Sequence, residues 1–473
     1  MMKENKSMPD KGIYFFSIKD KYFAYDINTT YCVELDDIAL TILPELLSVI
    51  RKGLKKKYAH VYSKSRLCRC IKECEDILDS GKFGAPSRPY KHRIQNNVSS
   101  VCLHVAHNCN LSCKYCYADA GSFGGNRSLM SSEVMIKAID FTFANSGDIK
   151  DINIGFFGGE PLLNFPLIRD AVGYAKKQAS RFNKKATFSL ASNATLLTPL
   201  IMDFVDREDF SLLFSLDGPQ NTHDRMRTFA DGKGTHSVIL KNLKDYLHRY
   251  SHNFTVRGTF TRTTPNFSEQ VIFLNRLGFK SISVEPVQLD AANPNSIATY
   301  GDINRVMFEY DKLADIYLEG FDKGKPLNFF HFDNYLKKLL YPKPTYVECG
   351  AGGGYIAVTP DGMIFPCFEA VVEKENCIGH IDSGFNNRKR KLFQRIHVDA
   401  KKECSGCWIK YSCGGGCHAF NIRYNNNITV PYKPQCEFVK YRFKLSAWIL
   451  SKIMERGEKA VNKLKKHLQV SSG

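Results

Sequence analysis

From residue 100 to 287 the chain repeats one pattern six times: a short β-prone run, followed in most cases by a stretch of helical period. The strand candidates are 101–106, 152–157, 187–191, 210–216, 255–261 and 281–287. The helical stretches between them start near Ser131, Pro166, Thr198, Thr235 and Asn266. Strands that alternate with helices pair in parallel, with the helices covering the sheet. The expected fold class is therefore α/β, a partial (β/α)6 TIM-like barrel whose reacting groups collect at the C-terminal ends of the strands.

The flanks read differently. Residues 13–35 give three short strands separated by the turn signals Lys19-Asp20 and Asn28-Thr29. A helix over 37–54 sets Ile38, Leu40, Leu43, Leu46, Leu47 and Ile50 near one helical period, and a second covers about 64–79. From Ser80 to Asn97 the chain turns polar, with Gly81, Gly84, Pro86 and Pro89, which marks a domain boundary. Helices over 302–323 and 327–340 lead to a Cys- and Gly-rich region, 349–436, and 437–468 reads as one basic amphipathic helix. The domains expected are 1–84, 98–300, a helical bridge 301–348, 349–440 and a terminal helix 441–473.

At 473 residues, 43% hydrophobic and 24% charged, the composition is that of a globular protein with ample core. No apolar run reaches the roughly 18 residues of a membrane span. The start, MMKENKSMPDKG, lacks the apolar stretch of a secretory signal, so a cytoplasmic location is expected. In a reducing compartment sixteen cysteines point to metal ligation or catalysis rather than disulfides. The net charge of +18 admits a nucleic-acid partner.

After the first barrel strand comes HNCNLSCKYCYADAG, with Cys109, Cys113 and Cys116 spaced Cys-x3-Cys-x2-Cys. Three thiolates on one loop can hold three irons of a [4Fe–4S] cube and leave the fourth unligated, and an open position is the mark of a catalytic metal site. Tyr115 offers an aromatic face beside it. A small zinc site or buried thiols is the plainer alternative. In this slot the spacing resembles the radical S-adenosylmethionine (radical SAM) enzymes. The resemblance implies that SAM chelates the open iron through its amino and carboxylate groups. One electron from the cluster then cleaves the sulfonium, giving methionine and a 5′-deoxyadenosyl radical that abstracts hydrogen.

Further motifs agree with the resemblance. The second strand runs into FFGGEPLL, where Gly158 and Gly159 permit close backbone approach and Glu160 can accept from an ammonium. In the family this element binds the amino group of the methionine moiety. The third strand ends at Ser192 and Asn193, which could bond the ribose; many relatives have Gly where Ala194 stands. By resemblance Ser215 and Arg227, at the end of the fourth, would bind the SAM carboxylate. Asp217 is as suited to shaping the turn as to touching substrate. Val284 to Pro286, on the sixth strand, fall near the adenosine.

Cys349 precedes Gly362 and Cys367; after a gap come Cys404, Cys407, Cys413 and Cys417, spaced x2, x5 and x3, and Cys436. Each spacing alone fits a zinc ribbon. The full order resembles the SPASM extension of radical SAM peptide-modifying enzymes, which holds two auxiliary [4Fe–4S] clusters. By position Cys349, Cys367 and Cys417 would ligate auxiliary cluster I, and Cys404, Cys407, Cys413 and Cys436 auxiliary cluster II. Cluster I lacks a fourth cysteine, since Cys377 in NCIGHI reads as a strand residue, and an open site is favoured. Sulfatase-maturing relatives fill that site and carry an acidic residue after the cysteine matching Cys367. Here that residue is Phe368, which disfavours formylglycine formation. Three clusters on ten or eleven thiolates would lower the net charge by four or five units and leave it basic.

The N-terminal order of strands and helices resembles the winged-helix recognition element of ribosomal-peptide maturation enzymes, which binds a precursor's leader by adding a strand to its sheet. A winged helix could instead bind DNA, although no recognition-helix pattern is visible. Cys68, Cys70 and Cys74 lie on one helix, Cys70 and Cys74 on a shared face; buried thiols are the simpler reading, as for Cys32 and Cys102 on strands. His104 and His107 read as structural. The terminal basic helix suits a cap on the barrel, or a membrane surface.

The expectation is thus a three-part maturase that forms thioethers, Cys sulfur to carbon, in a short Cys-containing precursor peptide. Its reductant would be a one-electron donor such as flavodoxin or ferredoxin, and no catalytic acid or base is assigned. Carbon–carbon cross-linking is the alternative within the class, and a zinc- and DNA-binding regulator the alternative outside it.

Overall fold

Six parallel strands, Ser100–His107, Asp151–Gly158, Lys185–Ser192, Phe210–Ser215, Phe254–Phe260 and Ile282–Pro286, hydrogen-bond to one another in chain order. The chain is described here by a computed structural model covering residues 7–8, 12–48, 53–86, 94–287, 289, 292–297 and 299–470. Helices Ser132–Ala144, Phe165–Arg181, Pro199–Arg207, His236–Arg249 and Phe267–Arg276 follow the strands within a residue or two of the expected starts. Two starts have a visible local cause: Ser131 and Thr198 accept from the backbone N–H of Val134 and Ile201, meeting donors that a helix N-terminus leaves free. Val101, Leu103 and Val105 on the first strand are fully buried in the large core under the helices, while Cys102 and His104 between them face other side-chain clusters. That alternation is the period-2 geometry of a strand.

The sheet does not stop at the first strand. Tyr355–Val358 pairs with it in parallel, Ile356 opposite Val101, and Met363–Phe365, Gly379–His380 and Gly384–Phe385 continue the sheet antiparallel. The Cys-rich region is thereby welded to the edge nearest the Cys109 loop. No sequence periodicity announces a strand that joins a sheet 250 positions upstream of it.

The segment expected as one helix over 437–468 is two, Lys433–Met454 and Glu458–Val470. Gly457, at φ +86, supplies the left-handed residue that turns the chain between them. The first of these helices buries Phe438, Phe443, Leu445, Trp448, Ile449 and Ile453, and packs on helices Tyr300–Asp322 and Phe330–Leu340. It is therefore a packed cap, and no helix among the described residues is long and apolar enough to cross a membrane.

At the N-terminus Ser7–Met8, Ile13–Ile18, Lys21–Asp26 and Cys32–Leu35 form an antiparallel sheet in chain order. Lys19 takes a positive φ in the tight turn, and Asp26 accepts from the N–H groups of Asn28 and Thr29 in the next. Helices Asp37–Leu47, Leu54–Tyr58 and Lys64–Asp79 come next. The first, expected to reach 54, ends at Ser48, whose N–H and hydroxyl turn back to Glu45 O. Residues 49–52, with Ile50, lie outside the described residues, as do 1–6, 9–11 and Pro89. Cys70 and Cys74 are buried in this unit. Its sheet leans on the Cys-rich region: the Tyr14 ring stacks on Trp408 at 4.4 Å and 7°, and the Tyr25 and Ser412 hydroxyls are 2.8 Å apart.

Candidate active site

Cys109, Cys113 and Cys116 line one cavity of about 210 Å³ at the C-terminal ends of the barrel strands. Burial pushes the Cys109 thiol up to about 12, and its two loop partners add to that rise. The loop is held from behind. Leu111 N–H approaches Cys109 Sγ at 3.4 Å, and Asn193 Nδ2 points at the same sulfur from 3.8 Å while donating to Asn110 Oδ1 at 3.0 Å. Such donors favour the thiolate form, opposing burial.

Gly158 and Gly159 serve this loop. Gly159 N–H donates to Ala106 O at 2.8 Å. A Cβ on Gly158 would lie 2.2 Å from Ala106 O, and one on Gly159 would lie 2.3 Å from Asn108 O. The close approach expected toward a ligand is thus also an approach of two protein backbones. Glu160 is fully buried behind the cavity wall and accepts from Leu162 N at 2.9 Å, Ser192 Oγ at 2.8 Å and Asn193 N at 2.7 Å. Burial nevertheless pushes its carboxyl up to about 6. Ser192, expected toward a ribose, spends its proton on Glu160, though it and Asn193 still line the cavity.

Ser215 lines the cavity beside Arg227, which is buried. Arg227 Nη1 donates to the Tyr115 hydroxyl at 2.8 Å, and that hydroxyl donates in turn to Asp217 Oδ2. Asp217 Oδ1 accepts from Thr259 N at 3.0 Å. Asp217 thus braces Tyr115 against the end of the next strand, a contact that suits the turn-shaping role of the two open to it. Arg227 Nε is buried with no partner among the described residues.

Motif reading misses two further groups in the lining, Arg257 and Glu369; Glu285, from the Val284 to Pro286 run, and Phe368 are named from sequence. Arg257, Glu285, Phe368 and Glu369 line the same cavity. Glu285 is kept ionised well below the usual carboxylate range, against its burial, by His331 at 2.7 Å and by Arg442. Glu369 is raised by burial, opposed by Arg423 and Arg257. The carboxylate whose absence at position 368 argued against formylglycine formation is thus delivered one residue later, because Phe368–Val371 is a 3-10 turn that brings both side chains to the cavity. Only the turn geometry could have revealed that.

Seven of the eight cysteines from Cys349 onward fall into two groups. Cys367 is raised by burial and by the proximity of Cys417 and Cys349. Cys436 is raised by burial and by Cys413, Cys404 and Cys407; these four, together with Cys417 of the other group and with Ile13 and Tyr14, line a second cavity of about 470 Å³. Cys377 stands apart from both and donates to Gly379 O at 3.1 Å. His418, not singled out from sequence, is buried with Nδ1 3.9 Å from Cys349 Sγ. No three His, Cys, Asp or Glu side chains among the described residues converge on a single metal-ion position. Cys109, Cys113 and Cys116 instead line the first cavity, and Cys404, Cys407, Cys413, Cys417 and Cys436 the second.

Residues 103–263 match the model of the radical SAM superfamily. The chain is 25% identical over 340 residues to a cysteine-type anaerobic sulfatase-maturating enzyme of Clostridium novyi, covering 68% of this chain and 88% of the relative. It is 23% identical over 370 residues to the radical SAM cyclopropyl synthase TigE of Paramaledivibacter caminithermalis, covering 72% of each. An uncharacterised protein of Methanocaldococcus jannaschii is 32% identical over 317 residues, 67% of this chain and 96% of that one. Among solved structures, native anSMEcpe with bound AdoMet and Cp18Cys peptide superposes with a TM-score of 0.61 at 21% identity, covering 78% of this chain and 99% of that chain. On the cysteine loop, the strand order and these matches together, the chain belongs to the radical SAM superfamily.

Proposed function

We propose that this enzyme is a maturase that installs thioether cross-links, Cys sulfur to carbon, in a ribosomally made peptide. The observation that carries the reading is the shared cavity: the Cys109, Cys113 and Cys116 loop and the Phe368–Glu369 turn of the Cys-rich region face one space. Family membership implies a [4Fe–4S] cluster and SAM. The residues suit them: three cysteines on one loop, a buried Arg227 Nε without a partner among the described residues, and a wall of Gly158 and Gly159. When bound, that pair supplies a 5′-deoxyadenosyl radical that removes a hydrogen atom from a substrate carbon.

The chain's own residues do the rest. Arg227 neutralises a carboxylate, Tyr115 and Asp217 fix its plane, and Asn193 orients the Cys109 loop. Glu369, raised by burial, is the cavity group suited to take the substrate thiol's proton. The two further cysteine groups would hold auxiliary clusters I and II in a SPASM-type domain over 349–440. Cluster I would be held by Cys349, Cys367 and Cys417; the Cys377 thiol, directed to Gly379 O, supports the reading that it is not a fourth ligand. One iron would then be open to the substrate sulfur. The unit over 1–84 would receive the leader, in a winged-helix-like manner, and a flavodoxin- or ferredoxin-type donor in the cytoplasm would supply the electron.

The test is mass spectrometry of a candidate Cys-containing peptide after anaerobic incubation with reconstituted enzyme, SAM and reductant, with thiol alkylation afterwards. Loss of two hydrogens and one alkylatable thiol per event is expected. The same mass loss with every thiol still alkylated means carbon–carbon bonds instead. A second reading, oxidation of a Cys or Ser side chain to an aldehyde, is favoured by one observation, the Glu369 carboxylate in the cavity. It predicts a product that reacts with an aldehyde reagent.

A further inference from the structure

Lys401 is fully buried, at 0% exposure, between the two C-terminal cysteine groups. Its backbone follows the turn Val398–Ala400 and opens the short helix Lys402–Ser405 that carries Cys404. Its ammonium reaches across to Gly415 O at 2.6 Å, in the glycine turn between Cys413 and Cys417. One lysine therefore fastens a loop of one cysteine group to the turn shared with the other.

An ammonium carries three donors, and Gly415 O is the one acceptor Lys401 has among the described residues; it also has no carboxylate partner there. Glu348, the nearby carboxylate, is engaged by Lys338 at 2.9 Å. A charge buried without a counter-ion is expensive, and proteins bury lysine where something anionic meets it. Burial lowers the pKa of Lys401, and the groups that oppose this are Cys404 and Cys413 from one set and Cys349 and Cys417 from the other. Iron–sulfur cubes held by thiolates are net anionic, and their charge is one of the levers on their potentials.

We propose that Lys401 is the counter-charge shared by both auxiliary cluster sites, a positioning and tuning residue that raises the reduction potential of both and so favours acceptance of the electron released by peptide oxidation. The inference rests on the reading that those cysteines hold two clusters.

The experiment compares full-length wild type, Lys401→Met and Lys401→Arg after anaerobic reconstitution, by iron and sulfide content and by potentiometric titration of the auxiliary clusters monitored by EPR. In Lys401→Met both clusters are expected to become harder to reduce by at least tenfold in the reduction equilibrium, about 59 mV for one electron. Lys401→Arg stays within threefold of wild type. Loss of both auxiliary clusters in Lys401→Met with retention in Lys401→Arg supports the same role. Unchanged potentials, a shift at one cluster alone, or loss of iron in both variants overturns it, the last by making the residue a steric filler. Wild type with iron for the first cluster only overturns the cluster reading itself and the inference with it.

Discussion

Arg227 donates through Nη1 to the Tyr115 hydroxyl at 2.8 Å while its own Nε lies buried with no partner among the described residues. Leaving a buried donor unmet costs about 1–3 kcal/mol, so the geometry asks for an anion at that edge. Arg227→Met is expected to weaken SAM binding at least tenfold in equilibrium dialysis, the scale of one charge-assisted bond of about 1.5–3 kcal/mol. Arg227→Lys should recover little of it, lacking the planar fork. Undiminished affinity in Arg227→Met would remove the carboxylate assignment.

Gly159 tests whether the cysteine loop is positioned by backbone contact. A Cβ there would sit 2.3 Å from Asn108 O and 2.7 Å from the Gly121 Cα, both backbone atoms that cannot swing aside. Gly159→Ala should cost about 1–3 kcal/mol as overpacking and reduce the iron bound at the first site, leaving any iron bound by the C-terminal cysteines unchanged. Full iron with an unshifted melting temperature would mean that the loop accommodates the methyl group freely.

The buried carboxyl of Glu160, raised to about 6, gives a signed pH effect. The folded protein holds this proton more tightly than the unfolded chain, so the contribution to stability is present below the ordinary carboxyl pKa of 4.5 and is lost as pH rises to about 6. If Glu160 receives the SAM ammonium, as the family resemblance implies, it must do so as the carboxylate, and SAM affinity should rise with pH through that same region. In Glu160→Gln the profile should be flat and the affinity low. A wild-type profile already flat from pH 5 to 7 would make Glu160 solely an anchor for Leu162, Ser192 and Asn193.

The barrel is legible in the sequence because its signals are local. Strand runs, the Ser131 and Thr198 caps and the Cys109 loop are each written in a handful of consecutive residues. The features that escape it depend on contacts between distant segments. Tyr355–Val358 joins Ser100–His107 only once both exist as strands. Glu285 acquires its fixed charge from His331 and Arg442, each on a different helix. Glu369 enters the cavity because a 3-10 turn advances the chain where a strand would have turned the side chain away. The terminal helix departs from expectation for a smaller reason: a helix tolerates an isolated glycine in its interior, and periodicity alone does not mark Gly457 as the break it forms here.

Glu369 separates hydrogen abstraction from the later bond-forming step. If it takes the substrate's proton, Glu369→Gln should still cleave SAM to 5′-deoxyadenosine, since the Cys109 loop and Arg227 are untouched. Modified peptide should fall by roughly 10²–10⁴-fold, the usual worth of a general base. Equal loss of both products would place the carboxylate in SAM binding or in the fold.

His418 decides whether auxiliary site I is open. Its Nδ1 stands 3.9 Å from Cys349 Sγ, and burial pushes its pKa down to about 3, which favours the neutral ring that a metal ligand needs. In the thioether reading it only supports the Cys349 sulfur. His418→Ala should then keep the wild-type iron content, and a Cys-containing peptide should perturb the EPR signal of that cluster in both proteins. If His418 is itself the fourth ligand, the wild-type signal will ignore the peptide thiol, and His418→Ala will either lose the cluster or begin to respond. That outcome would close the site to the substrate sulfur and move the preferred chemistry to carbon–carbon cross-linking, for which no open iron is needed.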